Sequence, residues 1–107
     1  MSLVPIDQLT AARFEELKLE GFEAHSGSGA AVALRIFSVA KPQSIAAGYE
    51  SFSVIFDGPQ NPPLNQGIYR MHCAKLGLFD LFIVPIGADR GLRQYEAVFN
   101  RASEKRS

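Results

Sequence analysis

The chain has little of the material from which most catalytic and metal centres are built. Its 107 residues include one cysteine, two histidines and no tryptophan. A single cysteine, Cys73, excludes an intramolecular disulfide and any zinc site made of several thiolates. An excess of one charge is missing too, because 11 Lys and Arg stand against 11 Asp and Glu. Broad nucleic-acid binding rests on neutralising phosphates, so this balance argues against a nucleic-acid partner. The longest apolar run, Leu81 to Ile86, is six residues, far short of the roughly 20 that span a bilayer as a helix. Met1 to Asp7 carries neither a basic segment nor a sustained apolar one. No secretory signal or membrane insertion is expected, and the cytoplasm is the expected location.

What the chain does contain is core material: 47% hydrophobic against 21% charged residues, too apolar and too neutral for disorder. The length predicts one domain over residues 1–107, with an ordered core at about 7–100 and a basic tail at 101–107. Thr10 is a good helix cap before Ala11 to Lys18, and Leu9, Phe14 and Leu17 share one side of that helix. Gly21 is its expected end. Two or three turns are not stable alone, so the helix must dock on something else.

Beyond Gly21 the apolar period changes to two. Strands are predicted at Phe22–His25, Ala31–Ala40, Ser51–Phe56, Ile68–Ala74, Leu78–Ile86 and Arg93–Asn100. Ser26 to Gly29 reads as a floppy reversal, and Lys41 to Gly48 as a break containing Pro42. Asp57-Gly58-Pro59 opens the longest loop, and Gly87 to Gly91 is a turn. Leu78–Ile86 is apolar on both faces, which predicts a strand covered on each side. Pro85 is expected to end its pairing. Six strands without crossover helices predict an antiparallel meander in a mainly β fold: a small barrel, or a compact sandwich, with the helix over an open end or face.

The chemistry-bearing residues are few, and each has an ordinary structural explanation. His72 and Cys73 are adjacent on a strand and therefore point to opposite faces, which separates a base from its nucleophile. A His25–His72 metal pair lacks any ligand spacing. Asp80 and Glu96 could form an acid/base pair if they faced one pocket, but outward-facing polar alternation, or ion pairs with Arg70 or Arg93, is the stronger reading. Tyr69-Arg70 and Tyr95-Glu96 form a matched aromatic–charge pattern, read as a cross-strand pair if their strands are neighbours. Phe52, Phe56, Phe79, Phe82 and Phe99 read as core. No cofactor site emerges.

Leu64-Asn65-Gln66-Gly67-Ile68-Tyr69-Arg70, Leu81-Phe82-Ile83-Val84-Pro85-Ile86-Gly87 and Tyr95-Glu96-Ala97-Val98-Phe99-Asn100, with Leu9 to Phe14 and Phe52 to Pro59, resemble a family of small bacterial proteins of unknown function. The resemblance spans residues 9–100 and implies an association with phage-tail-like proteins. Its characteristic positions are hydrophobic, Gly, Pro and Tyr, so it supplies no catalytic residues. The leading expectation is a non-enzymatic accessory or protein-interaction module, in a phage-tail-like or surface assembly. Its partner would be another protein or a second copy of itself, met through edge strands and through loops carrying Asp57, Gly58, Asn61, Gln66, Asp89 and Arg90. The alternative is a small-ligand-binding barrel with strand aromatics around an internal cavity. A hydrolase-type enzyme using His72, Asp80 or Glu96 is the third reading.

Overall fold

The structure is a computed structural model that describes residues 3–5, 8–25, 31–40, 43–46, 49–61 and 63–102. The expected reversal at Ser26 to Gly29, Pro42 and the tail beyond 102 lie outside the described residues.

One helix, α1 (Ala11–Glu16), precedes seven strands: β1 (Gly21–His25), β2 (Ala31–Val39), β3 (Gln43–Ala46), β4 (Tyr49–Gly58), β5 (Gly67–Cys73), β6 (Gly77–Asp89) and β7 (Leu92–Ala102). The pairings β1–β2, β2–β4, β4–β7, β7–β6, β6–β5 and β5–β1 are all antiparallel and return to their start. The sheet is therefore a closed six-stranded barrel, not a sandwich, and closure removes the open edges expected as contact sites from those six strands, leaving β3 as an edge strand beside β4. Strand order also departs from a meander, because β2 pairs with β4, β4 with β7, and β1 with β5.

β3 is the strand the sequence hides. The second half of β4 pairs with β2 from Val54 to Asp57, leaving the edge of its first residues open. Gln43 and Ser44 fill that edge opposite Ser51 and Glu50. This is a tertiary opportunity that small residues accept despite low strand propensity. Pairing also continues past Pro85, which faces Tyr95. The register shift between Pro85 and Gly87 accommodates Ile86 as an extra residue, so the proline bends the strand without ending it.

Period-two alternation sends Phe22, Val32, Leu34, Ile36, Phe52, Val54, Phe56, Tyr95, Ala97 and Phe99 inward, where all are buried. The short helix stops one end. The Thr10 hydroxyl accepts from the Arg13 N–H at 3.1 Å, capping the helix. The helix is shorter than expected and closes at Leu17; Gly21 opens β1 instead of ending α1. Phe14 is fully buried, with ring centroids 5.4 Å from Phe99, 6.3 Å from Phe79 and 6.4 Å from Phe22. Phe99 in turn stacks on Phe52 at 4.6 Å. Toward the other end, the Leu64 N–H donates to the buried Tyr95 hydroxyl at 2.9 Å, drawing the long loop onto the core. No buried side-chain nitrogen or oxygen among the described residues lacks a partner.

Candidate functional site

On the wall formed by β1, β5 and β6, Glu23 faces His72, His25 faces Arg70, and Arg70 faces Asp80. Arg70 Nε donates to Asp80 Oδ1, and His25 Nε2 lies 3.3 Å from Glu23 Oε1. His72 is half-buried on this wet side while Cys73 points into the core, as adjacent strand positions require. Glu96 lies on β7, facing Val84 on one side and Ile55 on the other. His72, Asp80 and Glu96 therefore belong to three strands of an outer wall and line no common cleft. Tyr69 and Tyr95 are not cross-strand neighbours either, since β6 separates β5 from β7. Their roles differ: Tyr69 donates its hydroxyl proton to the Asn65 carbonyl at 2.7 Å, and Tyr95 belongs to the core. Among the described residues, no three His, Cys, Asp or Glu side chains gather in a way that could hold a metal ion.

The loop candidates divide in two. Asn61, Gln66, Asp89 and Arg90 are exposed, but Asp89 is the last residue of β6 and pairs with Leu92, so the turn expected at Gly87 to Gly91 shortens to Arg90 and Gly91. Asp57 and Gly58 instead belong to β4, because β7 continues to pair opposite them through Gln94 and Arg93. Gly58 is buried, and a Cβ there would lie 2.7 Å from Leu34 Cδ2 and 3.3 Å from Tyr95 Cε2. Asp57 is a wall residue whose carboxylate accepts from Gln94 Nε2 at 2.9 Å and from Arg90 at 3.2 Å.

Two surface features escaped the sequence reading. The first is apolar. Among the described residues, seven large hydrophobics are exposed, and four of them lie on β5, β6 and β7: Ile68 (72%), Phe82 (49%), Ile86 (45%) and Val98 (57%). Ile68 and Phe82 face each other across the β5–β6 ladder. Phe82 is thus not a core residue. The doubly apolar pattern of β6 was the available signal, but the cover it implies is missing from the outer side.

The second feature is a groove of about 430 Å³ on the wall of β2 and β4, lined by Gly21, Ala33, Arg35, Phe37, Asp57, Pro59 and Leu92 among others. Phe37 is the extra residue where the β2–β4 register shifts between Ile36 and Ser38, and its ring is 46% exposed. Arg90 reaches it from the β6–β7 turn, with its guanidinium carbon 4.9 Å from the ring centroid. Arg90 is the one non-glycine described residue at positive φ (53°), followed by Gly91 at 76°. Such a pair of positive angles makes a tight hairpin turn in which Asn or Gly is the usual first residue. The Arg90 guanidinium pKa is raised above its ordinary value: the hydrogen bond to Asp89 raises it most, desolvation works against this, and the charges of Asp89 and Asp57 and the hydrogen bond to Asp57 add to the rise. This groove lies outside the barrel. The interior holds Phe22, Phe56, Phe79, Met71, Ile83 and Tyr95, all buried.

No helix among the described residues is long and apolar enough to cross a membrane. In comparisons with known proteins, the sequence model of one family, a domain of unknown function (DUF6916), matches residues 9–99. No curated protein and no solved structure matches the chain.

Proposed function

We propose that this chain, which belongs to the DUF6916 family of domains of unknown function, is a non-catalytic interaction module. Its contact surface is the outer wall of β5, β6 and β7, and its first partner is a second copy of itself. The observation that carries this reading is the exposed Ile68–Phe82 pair, with Ile86 and Val98 on the same three strands. Isolated exposed apolar residues need no explanation, but a cross-strand pair with further apolar neighbours marks a contact surface. A standard interface covers about 800 Å² per partner, roughly one-eighth of the 6635 Å² surface of this chain. One wall of the barrel can supply that area. The zero net charge offers little long-range repulsion between copies, and the rim pair Arg70–Asp80 is internally neutral. A two-sided apolar β6 is then explained: its inner face meets the barrel core and its outer face meets the partner. Assembly of a phage-tail-like or surface kind, which the family resemblance implies, uses repeated contacts of this type.

Sedimentation velocity over a concentration series tests the proposal. The wild-type chain is expected to dimerise, and the double variant Ile68→Thr, Phe82→Ser to remain monomeric with an unchanged circular dichroism spectrum. A wild-type chain monomeric throughout the series, or a dimer that the double variant leaves intact, refutes it.

A further inference from the structure

Beside β2, three from β6 in the ring of strands, lies the groove, with Leu92 at the start of β7 also in its lining. Gly21 and Ala33, which carry little or no side chain, line it together with Phe37, Pro59 and Leu92. The volume of about 430 Å³ falls within the roughly 300–1,000 Å³ of small-molecule sites. The charges in it are unequally committed. Both Asp57 oxygens already accept hydrogen bonds, one from Gln94 and one from Arg90. Arg90 is shared among Asp57, Asp89 and the Phe37 ring. The Arg35 guanidinium, by contrast, has no hydrogen-bond or ion-pair partner among the described residues, although Asp57 stands opposite it in the β2–β4 ladder. An available planar guanidinium next to apolar walls is complementary to a carboxylate carried on an apolar body.

We infer that this groove is a binding site for such an apolar carboxylate, held by Arg35 at its charged end and by Phe37, Leu92 and Pro59 along its body. Arg90 acts as a strap. Its left-handed backbone is unusual for a residue with a Cβ, and its guanidinium lies over the exposed Phe37 ring. The site is preformed, because Asp57, itself held by Gln94, anchors the strap without help from the ligand. The same chemistry occurs in a free aryl carboxylate and in the C-terminus of a peptide ending in an aromatic residue. The experiment separates these two sources.

The test is a ¹H–¹⁵N chemical-shift titration of the full chain with 2-naphthoate, with uncharged 2-naphthamide as control, and with an acetylated tripeptide ending in Phe as its free acid or its amide. The expected result is saturable shifts at Gly21, Arg35, Phe37 and Leu92 with the acids, and binding at least about tenfold weaker for the amides. A charged hydrogen bond contributes enough for a difference of that order. Tighter binding of naphthoate points to a free metabolite, and tighter binding of the peptide acid to a chain terminus. Arg35→Gln should weaken acid binding about tenfold and leave the amides unaffected. Ala33→Leu should block both acids by filling part of the groove. Acids and amides binding alike, shifts elsewhere on the barrel, or both variants binding as wild type would overturn the inference. Because Ile68, Phe82, Ile86 and Val98 do not line the groove, dimerisation measured in the same samples reports on the interaction module independently.

Discussion

The phenol of Tyr95 offers the sharpest test of how the barrel is closed at the loop end. Tyr95 is fully buried, Leu64 is 7% exposed, and among the described residues the 2.9 Å bond between the Leu64 N–H and the Tyr95 oxygen is the only hydrogen bond that ties that loop residue to the core. Tyr95→Phe keeps the ring and removes the acceptor. The backbone donor of Leu64 is then buried without a partner, which costs about 1–3 kcal/mol. The loop can escape that cost only by lifting Leu64 into water, which forfeits its apolar burial instead. At about 4–8 °C per kcal/mol for a domain of this size, the loss is readily measured. Tyr69→Phe is the internal control. Its hydroxyl also bonds to the loop, at the Asn65 carbonyl, but that contact is exposed, so water replaces it and stability should stay within about 0.5 kcal/mol. Urea unfolding followed by far-UV circular dichroism reads both variants, since the chain has no tryptophan to report. Hydrogen exchange adds a local reading: the Leu64 amide should lose protection in Tyr95→Phe while the β4–β7 ladder keeps its own. If Tyr95→Phe costs no more than Tyr69→Phe, the reasoning that the buried phenol anchors the loop is wrong.

Two further outcomes follow from the packing at the other end. Phe14→Ala empties a fully buried site contacted by three phenyl rings and should cost about 3–5 kcal/mol, read by the same urea titration; a loss under about 1 kcal/mol would mean that α1 is not the stopper of the barrel. Cys73 is 1% exposed, so its thiol should react with a disulfide reagent only through opening of the barrel, far more slowly than in urea; reaction at the unfolded rate under native conditions would contradict its burial in β5.

Residues whose environment follows from their own neighbours were legible in the sequence. Phe52, Val54 and Phe56 alternate with Ser51, Ser53 and Ile55, so their inward placement follows from strand geometry alone. The same parity separated His72 from Cys73. The capped helix with Leu9, Phe14 and Leu17 on one side was legible for the equivalent reason at period 3.6. Phe82 was misread because a phenylalanine inside an apolar run carries no local sign of which face is covered. That depends on β7 and α1 arriving from distant parts of the chain.

The sequence by itself thus determined a neutral β domain with one short helix, the parity of most core positions, and the poverty of acid, base and metal-ligating groups. Only the tertiary structure decided that β2 meets β4 and so closes the barrel, that β3 exists, and that Asp57 and Gly58 are wall and not loop. It also brought Arg35, Phe37 and Arg90 together from two separate hairpins. The physical reason is the range of the forces involved. Side-chain parity is set within a few bonds, whereas ladder partners and groove walls are set by which distant edges remain unsatisfied once the core has formed.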